Sequence, residues 1–194
     1  MNQSIHGYYA LHSRIYDLTR WTFLFGRESV LRRIAKISTP QRILEVGCGT
    51  GRNLRSLRRI FPHAEITGVD LSKDMLEIAR KKTVNVRLVE QAYDAPLGGD
   101  YDVVLFSYAL SMFNPGWEEA LKAARADVKA GGLIVILDFS HTKFGFFRRW
   151  MGVNHVHMEG HLWPQAEMEC EKIVDQRFPA YFGIWHYGIF IGRV

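Results

Sequence analysis

The sequence predicts an α/β protein with a seven-stranded, mostly parallel sheet. Short apolar segments alternate along the chain with segments of helical periodicity, which is typical of a parallel sheet with helices on both faces. The apolar segments are nearly continuous, as expected for strands that are buried on both sides. In chain order, we expect strands over 42–46, 65–69, 86–89, 101–106 and 133–139, and helices over 51–61, 73–82 and 117–129.

Capping and breaking residues delimit three of these helices. Pro62 follows the first helix and cannot continue it. Ser72 directly precedes the second helix and is expected to be its N-cap. Gly131 and Gly132 follow the third helix and are expected to stop it.

The two ends of the chain differ from this alternating middle. The first part is helical in pattern with a break near Phe25 and Gly26, which predicts an N-terminal helical cap. The tail has two extended stretches without a long helix between them, which predicts an antiparallel hairpin at the sheet edge. We therefore expect one domain, divided into a cap (1–37), an α/β core (40–140) and a C-terminal segment that ends in the hairpin (141–194).

Length and composition limit the class of protein. A chain of 194 residues, 47% hydrophobic and 23% charged, is expected to fold as one soluble domain. Its apolar runs are far shorter than the roughly 18 residues of a membrane span, and we expect no secretory signal. The two cysteines, Cys48 and Cys170, give no disulfide framework, which suits a reducing cytoplasm.

The net charge of +5 is unevenly distributed. Residues 1–40 hold six basic side chains against two acidic ones, and two further basic groups lie at 52–59 and 143–149. Three interpretations remain open at this point: a solvated surface, contact with an anionic membrane, and contact with a nucleic acid.

The most informative segment is 43–53, which combines a buried strand, a glycine-rich turn and the start of a helix. Gly47, Gly49 and Gly51 let the backbone turn tightly and approach a ligand closely. Asp70 follows the second predicted strand, where a carboxylate can accept hydrogen bonds from both ribose hydroxyls of a nucleoside. The sequence therefore predicts a nucleoside-binding site.

Glu45 distinguishes between nucleoside cofactors. The glycine spacing is G-x-G-x-G, whereas a dinucleotide fold has G-x-G-x-x-G. A carboxylate at Glu45, two residues before Gly47, would repel a pyrophosphate. It would favour a ligand with an ammonium and a sulfonium group, and S-adenosylmethionine is such a ligand. We therefore expect S-adenosylmethionine as the cofactor.

These motifs resemble those of the class I methyltransferases over residues 40–140. Residues 45–51 resemble the first motif of that family and residues 68–72 the second. The resemblance implies a Rossmann-like fold and S-adenosylmethionine-dependent methyl transfer. It also implies that Asp70 binds the ribose while Leu71 and Met75 lie against the adenine.

The resemblance extends to the positions that follow the third and fourth strands. The family often has an aspartate after the third strand that accepts from the adenine amino group, and Gln91, followed by Ala92, stands there in this chain. Ser107 and Tyr108 follow the fourth strand, where the family meets the methionine end of the cofactor and the acceptor. Tyr108 is thereby a candidate catalytic residue.

The segment after the fourth strand also bears on the acceptor. Methyltransferases that act on DNA or RNA amines often carry an Asn/Asp-Pro-Pro-aromatic motif there. In this chain 106–110 reads Phe-Ser-Tyr-Ala-Leu, and the Asn-Pro-Gly of 114–116 comes too late. The sequence therefore argues against a nucleic acid as acceptor.

Three segments carry a narrower resemblance. Residues 8–27, 106–115 and 147–161 together resemble the bacterial betaine-lipid N-methyltransferases, the BtaB family. This resemblance implies trimethylation of the amino group of diacylglyceryl-homoserine, with the enzyme that makes this lipid as a functional partner. The alternatives are methylation of phosphatidylethanolamine or of a quinone precursor and, in another class of protein, a non-catalytic module that binds the cofactor at a membrane.

Candidate acceptor residues lie at both ends of the chain. Tyr16 and Trp21 belong to an aromatic segment that could hold a quaternary ammonium or pack as a lid. Arg148 or Arg149 could bind the homoserine carboxylate or be solvated. His12 and His155 are candidates for the general base.

Two further expectations concern metals and membranes. The histidines and glutamate of 155–161 lack ligand spacing on a fixed element, so we expect no metal. The aromatic and basic segments 8–27 and 143–150 predict peripheral association with an anionic membrane, at its cytoplasmic face.

Overall fold

The fold is a seven-stranded sheet with helices on both faces. The structure is a computed structural model that describes residues 24–153, 156, 158, 160 and 162–194. The strands are β1 (Arg42–Val46), β2 (Glu65–Asp70), β3 (Val86–Glu90), β4 (Tyr101–Ser107), β5 (Val128–His141), β6 (Glu171–Ala180) and β7 (Trp185–Arg193). Their order in the sheet is β3-β2-β1-β4-β5-β7-β6. Strands β1 to β5 run parallel, whereas β7 is antiparallel to both β5 and β6.

Six α-helices lie within the described residues. They are α1 (Arg27–Ile37), α2 (Arg52–Ile60), α3 (Lys73–Lys82), α4 (Trp117–Asp127), α5 (Gly145–Val153) and α6 (Leu162–Glu169). Ser72 caps α3 as expected, because its side chain accepts a hydrogen bond from the amide of Met75 at 3.4 Å. Across this described part of the chain, no helix is both long and apolar enough to span a bilayer.

The sheet separates two hydrophobic cores. Successive residues of the central strands alternate between them, so that Ile43 and Leu105 face one core while Leu44 and Val104 face the other. The first core includes α1 and α2, and the second includes α4 and α6. The central strands are thus buried on both faces, which explains their continuous apolar sequence.

The expected fold class is confirmed, including the C-terminal hairpin. Strand β7 pairs with both β5 and β6, so β6 forms the sheet edge. Helix α1 begins at Arg27, directly after Gly26. Residues 1–23 of the expected helical cap lie outside the described residues.

The expected boundary after α4 was wrong. The helix ends at Asp127 rather than at 129, because Val128 already pairs with Tyr101 in the sheet. The next pair between the two strands is Val103–Leu133. More residues separate Val128 from Leu133 in β5 than separate Tyr101 from Val103 in β4, so this part of β5 is irregular. Gly131 lies within it at a φ of 78°, inside β5 rather than at a helix end.

The helices α5 and α6 were not expected from the sequence. Helix α5 is short, begins with glycine and is rich in aromatic residues, which are weaker helix formers. Helix α6 contains Pro164 in its first turn, where proline is tolerated although it resembles a helix break in sequence. Both helices depend on tertiary packing more than on intrinsic propensity.

A buried carboxylate fixes the loop between β3 and β4. Asp127, fully buried at the end of α4, accepts hydrogen bonds from the Tyr93 hydroxyl and the amide of Leu97, both at 2.8 Å. It also accepts from the amides of Gly98 and Gly99 at 2.8 and 3.2 Å. This network closes the loop that carries Gln91 and Ala92.

We expect Asp127→Asn to destabilise the protein. An amide cannot accept all four bonds, and a buried N–H group left without a partner is costly. The free energy of unfolding should fall by about 3 kcal/mol, measured by urea denaturation. Tyr93→Phe should cost about 1 kcal/mol, since it removes one donor. Asp94→Asn in the same loop is the control because Asp94 is exposed. An Asp127→Asn variant as stable as this control would contradict the assignment.

Candidate active site

The glycine-rich turn after β1 forms an open cradle at the carboxyl edge of the sheet. Gly47, Gly49 and Gly51 have φ values of 67°, 52° and 75°, a conformation that favours glycine. A Cβ atom at Gly47 would lie 2.7 Å from the Cβ of Ala109, so the turn packs tightly there. At Gly49 a Cβ would meet nothing within 4 Å, so this side of the turn is open to a ligand.

Asp70 holds the turn in place from the end of β2. One carboxylate oxygen accepts a hydrogen bond from the amide of Gly49 at 2.7 Å, and the other accepts from the amide of Ser72 at 2.9 Å. Each carboxylate oxygen can accept more than one hydrogen bond. Asp70 therefore fastens two loops and keeps acceptor capacity for a ribose.

Glu45 is a buried carboxylate with one oxygen that has no hydrogen-bond partner among the described residues. The residue is 2% exposed, and its Oε1 accepts from the Asn53 side-chain amide at 2.7 Å. Its Oε2 is buried and has no hydrogen-bond partner among the described residues. Burial raises the pKa of Glu45 to about 8, although the Asn53 bond and the charge of Arg27 act in the opposite direction. The unmet oxygen suits a cationic donor.

Asn53 was not predicted as a site residue. It lies in the first turn of α2 and is buried, with its amide directed at Glu45. The signal in the sequence was an asparagine two positions after Gly51, in the first turn of the predicted helix.

The predicted adenine-side residues come together at the same edge. Leu71 is 73% exposed, an unusual exposure for leucine, and Met75 is partly buried one turn into α3. Gln91 and Ala92 are exposed after β3, and the Gln91 amide donates to the Asp70 carbonyl at 3.2 Å. The structure thus brings all four beside Asp70, and their contact with adenine stays a prediction.

Ser107 ends β4, and Tyr108 follows it beside the turn. The Ser107 hydroxyl is buried without a hydrogen-bond partner among the described residues. The Tyr108 hydroxyl donates to the Phe25 carbonyl at 2.8 Å, and burial raises its pKa well above the ordinary range. Tyr108 thereby fastens the segment before α1 to the sheet, and its catalytic role stays a prediction.

Five aromatic side chains pack next to this point and are called here the aromatic cluster: Phe25, Tyr108, Phe139, Trp185 and Tyr187. The Phe139 ring centroid lies 4.8 Å from that of Tyr108 and 5.1 Å from that of Trp185. The Phe25 centroid lies 5.9 Å from Trp185 and 6.3 Å from Tyr187. The Nε1 atom of Trp185 is buried without a hydrogen-bond partner among the described residues.

Arg27 connects the aromatic cluster with the cofactor side of the site. Its guanidinium carbon lies 6.0 Å from the centroid of the Tyr108 ring. Its charge opposes the rise that burial causes in the pKa values of both Glu45 and Tyr108. Trp185 and Tyr187 were not predicted as site residues. They lie near the site because β7 is placed between β5 and β6 in the sheet, which the sequence does not reveal.

The remaining predicted site residues lie elsewhere or outside the described residues. Arg148 and Arg149 are exposed on α5, and Arg148 donates to the Thr142 carbonyl at 3.1 Å. Three groups of predicted residues lie outside the described residues: the candidate bases His12 and His155, the aromatic residues Tyr16 and Trp21, and three residues of the 155–161 motif at 157, 159 and 161.

The fold and site together define a methyltransferase-type α/β domain: a seven-stranded sheet with an antiparallel β7, a glycine cradle, and carboxylates after β1 and β2. Residues 18–180 match the family described as a methyltransferase domain. The chain belongs to this family.

Curated relatives carry a more specific name. A demethylmenaquinone methyltransferase of Thermotoga maritima is 32% identical over 130 residues, covering 63% of this chain and 56% of the relative. One of Staphylococcus aureus (strain Newman) is 30% identical over 157 residues, covering 76% of this chain and 65% of the relative. The chain thus spans 56% and 65% of the lengths of these relatives.

Solved structures share the fold. The N-methyltransferase NodS from Bradyrhizobium japonicum, in complex with S-adenosylhomocysteine, has a TM-score of 0.69 at 15% identity, covering 86% of this chain and 85% of that one. An N-methyltransferase of Haemonchus contortus has a TM-score of 0.73 at 15% identity, covering 90% of this chain and 55% of that one. Neither the relatives nor these structures point to the betaine-lipid family in particular.

S-adenosylmethionine is the cofactor of this class of domain, and the residues fit it. Glu45 offers a buried, unmet acceptor for the ammonium group. Gly49 leaves open space beside the turn, and Asp70 has acceptor capacity for the ribose hydroxyls. When bound, the cofactor supplies an electrophilic methyl group on a sulfonium.

We expect cofactor binding to release a proton from Glu45. A bound ammonium favours the carboxylate, so the pKa of Glu45 should fall from about 8 on binding. Calorimetry with S-adenosylhomocysteine at pH 7, in buffers of different ionisation enthalpy, should show about one proton released per ligand. Glu45→Gln should abolish this release and weaken binding at least tenfold, whereas Glu77→Gln on α3 should change neither. Equal release from the wild type and Glu45→Gln would contradict the assignment.

The ligand-free protein provides an independent check of the same carboxyl group. Glu45 stays protonated in the folded chain up to about pH 8, whereas its ordinary pKa is 4.5. Between these values the folded state binds more protons than the unfolded state. The free energy of unfolding should therefore fall as the pH rises, by up to about 1.4 kcal/mol per pH unit from this group. Glu45→Gln should remove that dependence.

Proposed function

We propose that this chain transfers a methyl group from S-adenosylmethionine to a quinone precursor. The observation that carries methyl transfer is the unmet, buried Oε2 of Glu45 beside the glycine cradle and Asp70. The acceptor class is supported by the relatives, which are named demethylmenaquinone methyltransferases at 30–32% identity. Their names favour the quinone precursor over the betaine lipid that the sequence motifs suggested.

The residues of the site have separable tasks in this reaction. Glu45 holds the ammonium end and Asp70 the ribose, which fixes the position of the transferable methyl group. The acceptor must lie in line with that group, about 3–3.5 Å from the methyl carbon. In this proposal the methyl group faces the backbone around Ser107 and Tyr108, at the end of β4.

The aromatic cluster suits a flat aromatic acceptor. Phe25 is exposed and Tyr187 is half-buried, so their rings offer apolar surfaces against which a quinol ring can pack. The buried Trp185 N–H has no described partner, and a hydroxyl oxygen on the acceptor would satisfy it. Such a bond would fix the orientation of the acceptor ring in the site.

Trimethylation of diacylglyceryl-homoserine is the second candidate function. The aromatic cluster also favours this acceptor, because the faces of Trp, Tyr and Phe bind quaternary ammonium groups. The amine must lose a proton before each transfer, and the trimethylated nitrogen has no lone pair left. The resemblance of 106–115 and 147–161 to betaine-lipid enzymes points the same way. Phosphatidylethanolamine is the corresponding phospholipid acceptor.

A direct comparison of acceptors tests the proposal. Purified protein and methyl-labelled cofactor are given a demethylated menaquinol, diacylglyceryl-homoserine or phosphatidylethanolamine, each in detergent micelles. We expect label in the menaquinol, as a single carbon-bound methyl group in the mass spectrum. Label in the homoserine lipid instead would replace the quinone assignment with the second candidate. Label in none of them, with cofactor bound, would contradict both.

Two tryptophan variants test the orientation of the acceptor. Trp185→Phe keeps an aromatic ring but removes the N–H, so kcat/KM for the quinol should fall about tenfold. Trp163→Phe is the matched control, because Trp163 is also buried with an unpartnered Nε1 but lies in the other core. Equal effects of the two variants would count against a bond from Trp185 to the acceptor.

A further inference from the structure

Exposed apolar side chains are concentrated at one place on the surface. Among the described residues, seven of the eleven exposed large apolar side chains come from Phe25 and two short segments, 144–150 and 181–184. Phe146 is 73% exposed on α5, and Phe182 is fully exposed between β6 and β7. Large side chains with this exposure contribute little to the folded core, so a cluster of them indicates contact with a partner.

Hydrogen bonds bring the three parts together. The Thr142 hydroxyl donates to the Ile184 carbonyl at 2.6 Å and accepts from the amide of Phe144 at 3.2 Å. The ring of Phe25 packs edge-on against Tyr181, with their centroids 5.5 Å apart. The start of α5, the turn before β7 and the segment before α1 therefore form one continuous area, called here the rim surface (Phe25, 142–150 and 181–184).

The charges on the rim surface are all positive. Residues 142–150 include Lys143, Arg148 and Arg149 and no aspartate or glutamate, and 181–184 are uncharged. The nearby Glu28 is engaged by Arg59 at 3.0 Å. A surface of exposed aromatic rings between basic side chains complements the interface of an anionic bilayer, where rings enter the headgroup region and cations meet phosphates.

The rim surface also adjoins the acceptor side of the site. Phe25 belongs to both the rim surface and the aromatic cluster, and the Tyr108 hydroxyl is bonded to its carbonyl. Ile184 directly precedes Trp185. A bilayer in contact with the rim surface would therefore lie next to the aromatic cluster, on the side away from the adenine end of the cofactor site.

We propose that the rim surface docks on anionic phospholipid, inserting Phe146, Trp150 and Phe182, and that the acceptor site opens toward the bilayer. The docking follows from the surface alone and is independent of which lipid-soluble acceptor is methylated. The rim surface also includes the turn at Phe182, which lies outside the segments 8–27 and 143–150 that the sequence predicted to contact a membrane. That turn holds Phe182 at a φ of 58°, with its ring directed into solvent.

Vesicle sedimentation tests the docking without any turnover. Wild-type protein is mixed with vesicles of phosphatidylcholine alone, or with about one third phosphatidylglycerol, at low and high salt. Binding should be strong only with phosphatidylglycerol and should weaken with salt. Lys143→Gln with Arg149→Gln should reduce the partition coefficient about 25-fold, at about fivefold for each cation. Absent binding, or equal binding to neutral vesicles, would overturn the proposal.

Substitutions of exposed apolar side chains distinguish insertion of the rim surface into the bilayer from nonspecific hydrophobic binding. Phe146→Ser with Phe182→Ser should reduce binding to the anionic vesicles at least tenfold. The matched control is Val84→Ser with Met168→Ser, two side chains of similar exposure outside the rim surface. Equal losses in the two double variants would overturn the proposal. Thermal unfolding of each variant checks that the fold is intact.

A third measurement fixes the orientation. Trp150 fluorescence should be quenched by brominated phospholipids in the anionic vesicles, and Trp150→Phe should remove that part of the quenching. If quenching is unchanged in Trp150→Phe, α5 does not contact the bilayer. The Phe146→Ser, Phe182→Ser variant should methylate a detergent-solubilised acceptor as fast as the wild type. This result distinguishes failed docking from a failure of the proposed methyl transfer.

Discussion

The cofactor site depends on one carboxylate that joins two loops. Asp70 accepts the Gly49 amide with one oxygen and the Ser72 amide with the other, so the turn after β1 and the start of α3 are fixed to each other. The amides of Gly47 and Cys48 also donate to the Val69 carbonyl at 2.9 and 3.1 Å. These bonds position the open side of the turn beside Glu45. They therefore fix the distance between the two groups that we expect to bind the ammonium and the ribose of the cofactor.

The positions of Glu45, the glycine turn and Asp70 relative to one another could be predicted from the sequence because these residues are local. Glu45, the three glycines and Asp70 lie within one β-α-β unit, and parallel strands bring their carboxyl ends to one edge. The aromatic cluster could not be predicted in the same way. Its members come from before α1, from the ends of β4 and β5, and from β7, and only the insertion of β7 beside β5 assembles them. The short helices α5 and α6 escaped prediction for a related reason, since packing rather than periodicity defines them.

The two proposals fit together physically. A quinone precursor and a homoserine lipid both reside in a bilayer, and the aromatic cluster and the rim surface share Phe25. An acceptor could then reach the methyl group from the membrane side while the cofactor enters from the exposed side near Leu71 and Gln91. In our proposal the basic side chains of 143–149 meet the anionic bilayer, because they stand among exposed rings without a carboxylate.

The central claim is that Asp70 and its loops form the cofactor site, and the affinity of an Asp70→Ala variant tests it most directly. Calorimetry with S-adenosylhomocysteine should show a loss of about 3–6 kcal/mol for two charge-assisted hydrogen bonds to the ribose, a weakening of at least a hundredfold. Asp70→Asn should weaken binding less, since its amide keeps one acceptor oxygen. An Asp70→Ala variant that remains folded and binds S-adenosylhomocysteine as tightly as the wild type would contradict the account.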